Sequence, residues 1–360
     1  MTDLRLFAGT GAALLGVALL LALPAPVAPT APAGPAPAVE LAVAWPGVAT
    51  GTTTGTLVDG RTYEPALYLD PDTSLGWLST WLNPAKRTTT YVLRTGDEVR
   101  ELVPWTADKL RTVDAVAATA TRVYWFQGTR DAVTGDKTQA LHVADRAGGP
   151  PRQVTDDVGT PLLFGSAYDL QVVDGRLRWA ADLPDGTEVR SVAEDGGEVT
   201  RTPVQGDLVL RAWPWATSPW TPQGTPVELV DLVGGARRTV PAQTGEQVSC
   251  GAEWCRFTTT GTLELRRPDG GDKRRIGGGD AQTLGFALGS TGRFELYSTP
   301  GAANATSVTS TIWLYDPVAR RSVRIVDVAS GVNARDGFLF WSTGDHETLM
   351  WHTLELAKLR

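Results

Sequence analysis

The sequence predicts an all-β protein, a single β-propeller, on three observations. One strand pattern recurs seven times at an average spacing of about 44 residues, which is the period of propeller blades. Each copy alternates apolar and polar residues with period two, the geometry of a strand. Gly- and Asp-rich turns separate the strands, and such turns need the positive φ that Gly supplies without steric cost.

The anchoring strand of each unit reads TYVLRT at 90–95, ALHVAD at 140–145, VRSVAE at 189–194, VELVDL at 227–232, TLELRR at 262–267, IWLYDP at 312–317 and TLELAK at 353–358. An aromatic strand precedes it, as in Val123-Tyr124-Trp125-Phe126 and Phe338-Leu339-Phe340-Trp341, and a short basic strand follows, as in Arg237-Arg238-Thr239-Val240. With one more strand on the inner side, each unit has four strands, A to D, the content of one blade. The expected units are 57–104, 110–156, 165–203, 206–242, 245–277, 281–328 and 331–360. The irregular spacing also admits six or eight blades. The last unit stops at its third strand, so its outer strand must come from elsewhere. The stretch Glu40 to Val48 is the expected donor, and this closure would leave no unpaired terminal blade.

The A–B turns Val173-Asp174-Gly175-Arg176-Leu177-Arg178-Trp179 and Arg335-Asp336-Gly337-Phe338-Leu339-Phe340-Trp341 resemble the repeat units of TolB-like and WD40-like propellers. The resemblance covers most of 55–360 and is degenerate. The Gly-His and Trp-Asp dipeptides of WD40 blades are missing, as is the N-terminal domain that accompanies TolB propellers. It implies a fold and carries over no partner.

Ahead of the repeats stand three segments: a tail at 1–5, an apolar segment at 6–23 and a Pro/Ala-rich linker at 24–39, with the propeller expected over 40–360. Leu6 to Leu23 is an uncharged apolar run of 18 residues. As a helix it spans roughly 27 Å, enough for a hydrocarbon core, and it exceeds the usual core of a secretory signal. It reads as a transmembrane anchor or, if cleaved after Ala33 or Ala38, a signal peptide. Arg5 precedes it and the next cation is Arg61, an asymmetry that puts the bulk of the chain outside the cytoplasm. Pro24 to Ala38 holds six Pro and six Ala, a composition that favours an extended stalk of up to ~45 Å. The expected location is the cell membrane, single-pass, or outside the cell if the segment is removed. Scarce Lys beside abundant Arg, Ala, Gly and Val is the usage of a GC-rich genome of the actinobacterial kind.

Cys250 and Cys255, separated by Gly-Ala-Glu-Trp, fall at the end of strand A and the start of strand B of the fifth unit. A disulfide across a hairpin base fits there, and an oxidising compartment favours it. Exported actinobacterial propellers resemble this chain in carrying such a Cys-x4-Cys ending in Trp-Cys. A redox pair or half a metal site has no C-x-x-C spacing or second pair behind it.

The net charge of −7 argues against a general nucleic-acid binder. There is no G-x-S-x-G elbow, P-loop or strand–GxGxxG–helix unit, and no catalytic residue, metal ligand or cofactor is indicated. His346-Glu347 followed by His352 is not the helical zinc pair, and Asp70-Pro71-Asp72 reads as a turn.

Two constellations are candidate binding surfaces. Trp213, Trp215 and Trp220 crowd among three Pro, with the surplus expected in a B–C loop, where exposed Trp would suit a sugar ring or a Pro-rich peptide; the plainer alternative is packing beneath the loop. Arg237, Arg238, Arg266, Arg267, Lys273, Arg274, Arg275, Arg320, Arg321 and Arg324 flank the C–D turns of three consecutive units on the opposite face. They would form a basic rim for anionic head groups or wall polymers, or protect exposed outer strands from edge pairing. The leading expectation is a membrane-tethered binding or scaffolding module whose partner is another envelope protein or a wall polymer. A glycan hydrolase or lyase at the channel mouth would require carboxylates about 5–10 Å apart. A sensor domain would need a partner for its output.

Overall fold

The computed structural model describes residues 37–80, 88–104, 106, 109–219, 221–284, 293–301, 309–345 and 347–360. It is a seven-bladed propeller of four-stranded antiparallel sheets. Blade 1 comprises Thr62–Asp70, Thr73–Ser79, Thr89–Thr95 and Glu98–Val103, and blade 2 Lys109–Ala118, Arg122–Asp131, Lys137–Asp145 and Arg152–Thr155. Blade 3 is Gln171–Val173, Arg176–Leu183, Gly186–Ala193 and Thr200–Gln205, and blade 4 Val209–Leu210, Trp215–Thr217, Val227–Asp231 and Arg237–Val240. Blade 5 is Gln247–Cys250, Cys255–Thr259, Thr262–Arg266 and Arg274–Ile276; blade 6 is Gln282–Thr283, Glu295–Pro300, Ser310–Asp316 and Arg321–Ala329. Blade 7 takes Gly331–Arg335, Phe338–Thr343 and Met350–Glu355 from the C-terminus. All seven anchoring segments read from the sequence fall on third strands, although in the last the strand ends at Glu355 and Leu356–Lys358 form a short 3-10 helix.

Period-two alternation explains why the B strands read as continuous apolar runs. Successive side chains point to opposite faces of a strand, and here both faces are covered by a neighbouring blade. In Val123-Tyr124-Trp125-Phe126, Tyr124 and Phe126 pack into the core shared with blade 3, whereas Val123 and Trp125 pack into the core shared with blade 1. The same rule yields a separate core between blades 3 and 4, 4 and 5, 5 and 6, and 6 and 7. Tyr68 of blade 1 meets Phe338, Phe340 and Trp351 of blade 7 in a further core that joins the last blade to the first. Across that seam Trp351 donates its Nε1–H to the Tyr63 carbonyl at 2.9 Å.

One cross-strand pairing is repeated. Trp77 opposes Tyr91, Trp125 opposes His142, Tyr297 opposes Trp313 and Trp341 opposes His352, each between strands B and C of its own blade. The last three pairs stack, with ring centroids 5.8, 6.1 and 5.4 Å apart. Directly opposed aromatic pairs of this kind stabilise a sheet by roughly 0.2–1 kcal/mol each. His142 and His352 are therefore ring partners of Trp, and burial pulls both imidazoles below their ordinary range. The Asp-Gly turns take the form expected of them: Asp174 and Gly175 have φ of 52° and 70°, and Asp336 and Gly337 of 48° and 84°. Two successive positive φ values define the tight hairpin turn for which Asp-Gly is suited.

The ring closes differently from the expectation. The outer strand of blade 7 is Gly51–Thr54, antiparallel to Met350–Glu355 with Gly51 opposite Thr353 and Thr54 opposite Met350. Glu40 to Val48 does not serve. Ala38–Glu40 instead adds a fifth, parallel strand to the outer edge of blade 6, with Val39 opposite Val323. Leu41–Ala44 then forms a short helix that seats Trp45, 3% exposed, in the core between blades 6 and 7. Trp45 meets Phe294 edge-on at 5.6 Å, and the Arg321 guanidinium covers its ring at 5.3 Å. Burial of one large ring fixes this segment against blade 6, and the β-branched Thr run at 52–54, which suits a strand, is left to pair with blade 7. Leu6 to Leu23 lies outside the described residues, among which no helix is long and apolar enough to cross a membrane.

Truncating a buried Trp typically costs about 3–5 kcal/mol. Trp45→Ala should lower the stability of the ring by that order in urea unfolding, whereas Val43→Ala, at a 68%-exposed position, should leave the midpoint unchanged.

Candidate functional site

Inner strands of several blades converge on a central cavity of about 390 Å³. Val209 and Arg211 come from blade 4, Gln247, Val248, Ser249, Arg256 and Thr258 from blade 5, Thr283 from blade 6, and Asn333, Ala334 and Arg335 from blade 7. Phe164 to Ala167, in the connection leading to blade 3, complete the wall together with Ser218 and Pro219 of the B–C connection of blade 4. Phe164 is 58% exposed there. The connection is held in shape by Asp169, whose Oδ2 accepts the N–H groups of Phe164 and Ser166 at 2.7 and 3.0 Å. Burial pushes the Asp169 carboxyl up, opposed by those N–H groups and by Arg335.

Three guanidiniums dominate the polar lining. Arg211 donates Nε–H to the Cys250 carbonyl at 3.2 Å. Burial, together with the neighbouring Arg256, pulls Arg211 down to about 10. Arg256 pairs with Glu295 at 2.6 Å, with both side chains almost fully buried. Arg335 donates to the Val116 carbonyl of blade 2. None of the described cavity-lining residues is acidic; Glu295 pairs with Arg256 and Asp169 accepts the Phe164 and Ser166 N–H groups.

A second cavity, of about 570 Å³, opens among the A–B and C–D turns of blades 4 to 6. Trp254 is central to it, with Arg267 and Arg274 over its ring at 4.0 and 4.7 Å, and Arg293 and Arg320 also line it. Tyr168 reaches this cavity from the same connection that walls the first one.

Cys250 and Cys255 are bonded, with Cα atoms 4.0 Å apart and directly opposite in the hairpin of blade 5. Both are fully buried in the core between blades 4 and 5. The Trp cluster is divided. Trp213 lies in the A–B connection of blade 4, not in a B–C loop. It packs against the core of blades 3 and 4 with Arg178 at 4.1 Å over its ring. Trp215 begins strand B and packs toward blade 5, and Trp220 is outside the described residues.

The basic rim carries its own acids. Arg237 meets Glu228 at 3.2 Å, Arg266 meets Glu246 and Glu264 at 2.6 and 2.8 Å, and Lys273 meets Glu264 at 3.1 Å. Arg267 pairs with Glu253, Arg274 and Arg320 with Asp272, and Arg324 with Glu40 and Asp327. Arg321 donates to the Ala44 carbonyl. Arg238 and Arg275 lie on outer strands of blades 4 and 5. Much of the charge is thus spent between neighbouring strands. Asp70 and Asp72 form a turn, with Asp70 accepting the Asp72 N–H and pairing with Arg146.

No family profile matches the sequence, and no curated protein matches it. In fold the chain is similar to a prolyl endopeptidase, with a TM-score of 0.50 and 12% identity over 87% of this chain and 48% of that one. It is also similar to the acylaminoacyl peptidase of Pyrococcus horikoshii (TM-score 0.44, 7% identity, 65% and 43% of the two chains) and to TolB from Acinetobacter baumannii (0.37, 13%, 68% and 62%). The chain spans about half the length of the two peptidases. At such identities the likeness is one of fold alone.

Two outcomes are expected. Replacing both Cys250 and Cys255 by Ala should destabilise the protein in urea by about 2 kcal/mol, the low end for a disulfide because the loop is short. Burial alone would raise the Glu246 carboxyl, but Arg266 and the Gln243 N–H hold it below its ordinary value. A depressed carboxylate stabilises the fold above its unfolded pKa and loses that contribution as pH falls through the folded one. Glu246→Gln should therefore flatten the decline of stability on the acid side in pH-dependent unfolding.

Proposed function

We propose that this chain is an extracytoplasmic binding propeller, tethered through its N-terminal apolar segment, whose ligand or partner engages the central cavity. The observation that carries the reading is the cavity wall: inner strands of blades 4 to 7 and the connection into blade 3 present hydrogen-bonding and cationic groups around an exposed Phe. Concave sites where polar groups converge beside apolar surface are the usual form of a ligand site. A glycan hydrolase would need paired carboxylates at this mouth, and the described lining offers guanidiniums instead. The buried disulfide supports an oxidising compartment, and the uncharged run Leu6 to Leu23 supports the tether.

The test uses the full chain in its native membrane. Protease added outside intact cells should digest the propeller. A partner or ligand recovered with the wild-type chain should be lost with Ser249→Trp, which fills the cavity, and kept with Val233→Trp, at an exposed position. Recovery that ignores Ser249→Trp would sink the reading, as would turnover of wall glycan abolished by replacing one carboxylate.

A further inference from the structure

We infer that the central cavity is an oxyanion site, taking a carboxylate or phosphate monoester attached to an apolar group, with Arg211 and Arg335 as the recognising cations. The inference rests on the binding-module reading above and adds the chemistry of the ligand.

The charge inventory supports it. Among the described residues, Arg256 is the wall guanidinium in a close ion pair, with Glu295, whereas Arg335 feels Asp169 and Asp336, and Arg211 feels Asp169, at longer range. Arg211 and Arg335 come to the wall from blades 4 and 7, and each is described bonding only to a backbone carbonyl. The nearby Asp169 has one oxygen committed to two backbone N–H groups. The Nε–H of Arg335 is buried and meets no acceptor among the described residues. That donor is open to an incoming acceptor, be it water, an ion or a ligand. Guanidinium forks match the planar geometry of carboxylate and phosphate, and such charge-assisted bonds are the strong ones. The apolar half of the ligand is specified by Phe164, Val209, Val248 and Pro219 on the same wall. A volume near 390 Å³ sits at the small end of ligand pockets, which favours a small molecule or a single terminal residue of a chain.

Isothermal titration of the full chain with N-acetylphenylalanine, its neutral methylamide and phenyl phosphate tests this. Either anion, or both, should bind at least about tenfold more tightly than the methylamide, since a hydrogen bond to a charged group contributes roughly 1.5–3 kcal/mol. The better of the two anions identifies the source of the oxyanion. Arg211→Gln and Arg335→Gln should each weaken that anion about tenfold and leave the methylamide unchanged, with Arg→Lys at the same positions recovering part of the loss. Failure of both anions to bind more tightly than the methylamide, or no saturable binding of either anion, overturns the assignment. This comparison uses the wild-type chain and stands even if a variant fails to fold. Should Ser249→Trp abolish partner recovery while no anion binds, the oxyanion assignment falls and the binding-module reading survives.

Discussion

Every sheet in this protein is buried on both faces, and that constraint governs the rest. A lone four-stranded sheet with two apolar faces has no stable existence in water; stacked in a closed series, each supplies the other half of its neighbour's core. Hence the B strands carry aromatics at consecutive positions, and hence a stacking pair recurs between strands B and C. The requirement also forces closure. Blade 7 would lack its outer strand without Gly51–Thr54, and the cluster of Tyr68, Phe338, Phe340 and Trp351 would lie open without a first blade to meet it.

The same architecture concentrates polar groups at the axis. The inner strands of blades 4 and 6 are short: Val209–Leu210 and Gln282–Thr283 are two residues each. Little apolar surface can be buried there, and long side chains from several blades reach a common space. Arg211, Arg256 and Arg335 occupy it from three different blades. Further out, cations and acids face one another between adjacent strands, so that the outer surface is laced by local pairs such as Arg237 with Glu228 and Arg324 with Glu40. Exposed pairs of this type contribute little individually, but they occupy the cations that an anionic partner on the rim would require.

The fold was legible because its information is local and repeated. Period-two alternation, aromatic B strands and Asp-Gly turns are each written within a dozen residues, and seven copies corrected one another. Closure was less legible. Two segments near the N-terminus both have strand character, and the choice between them was decided by Trp45, whose partners Phe294 and Arg321 lie more than 240 residues away. The cavity was barely legible for the same reason. Arg335 stood in plain view within a repeat unit, and Arg211 at the start of the Trp-rich stretch, but nothing local distinguishes a cation that faces the axis from one that faces solvent. The signal that could have found them is a lone charge at the end of an innermost strand. The Trp cluster misled in the opposite way: sequence proximity of Trp213 and Trp215 suggested one surface, yet the intervening strand start sends them to different cores.

The parallel strand Ala38–Glu40 has a mechanical consequence. Tension arriving along the chain from before Ala38 is taken up first by the outer edge of blade 6, through three residue pairs and the Glu40–Arg324 contact. Behind it the seated ring of Trp45 acts as a stop. The strand that locks the ends of the propeller together begins only after that stop, so a pull on the N-terminus would peel away an accessory strand before it loaded the fastening of the ring itself.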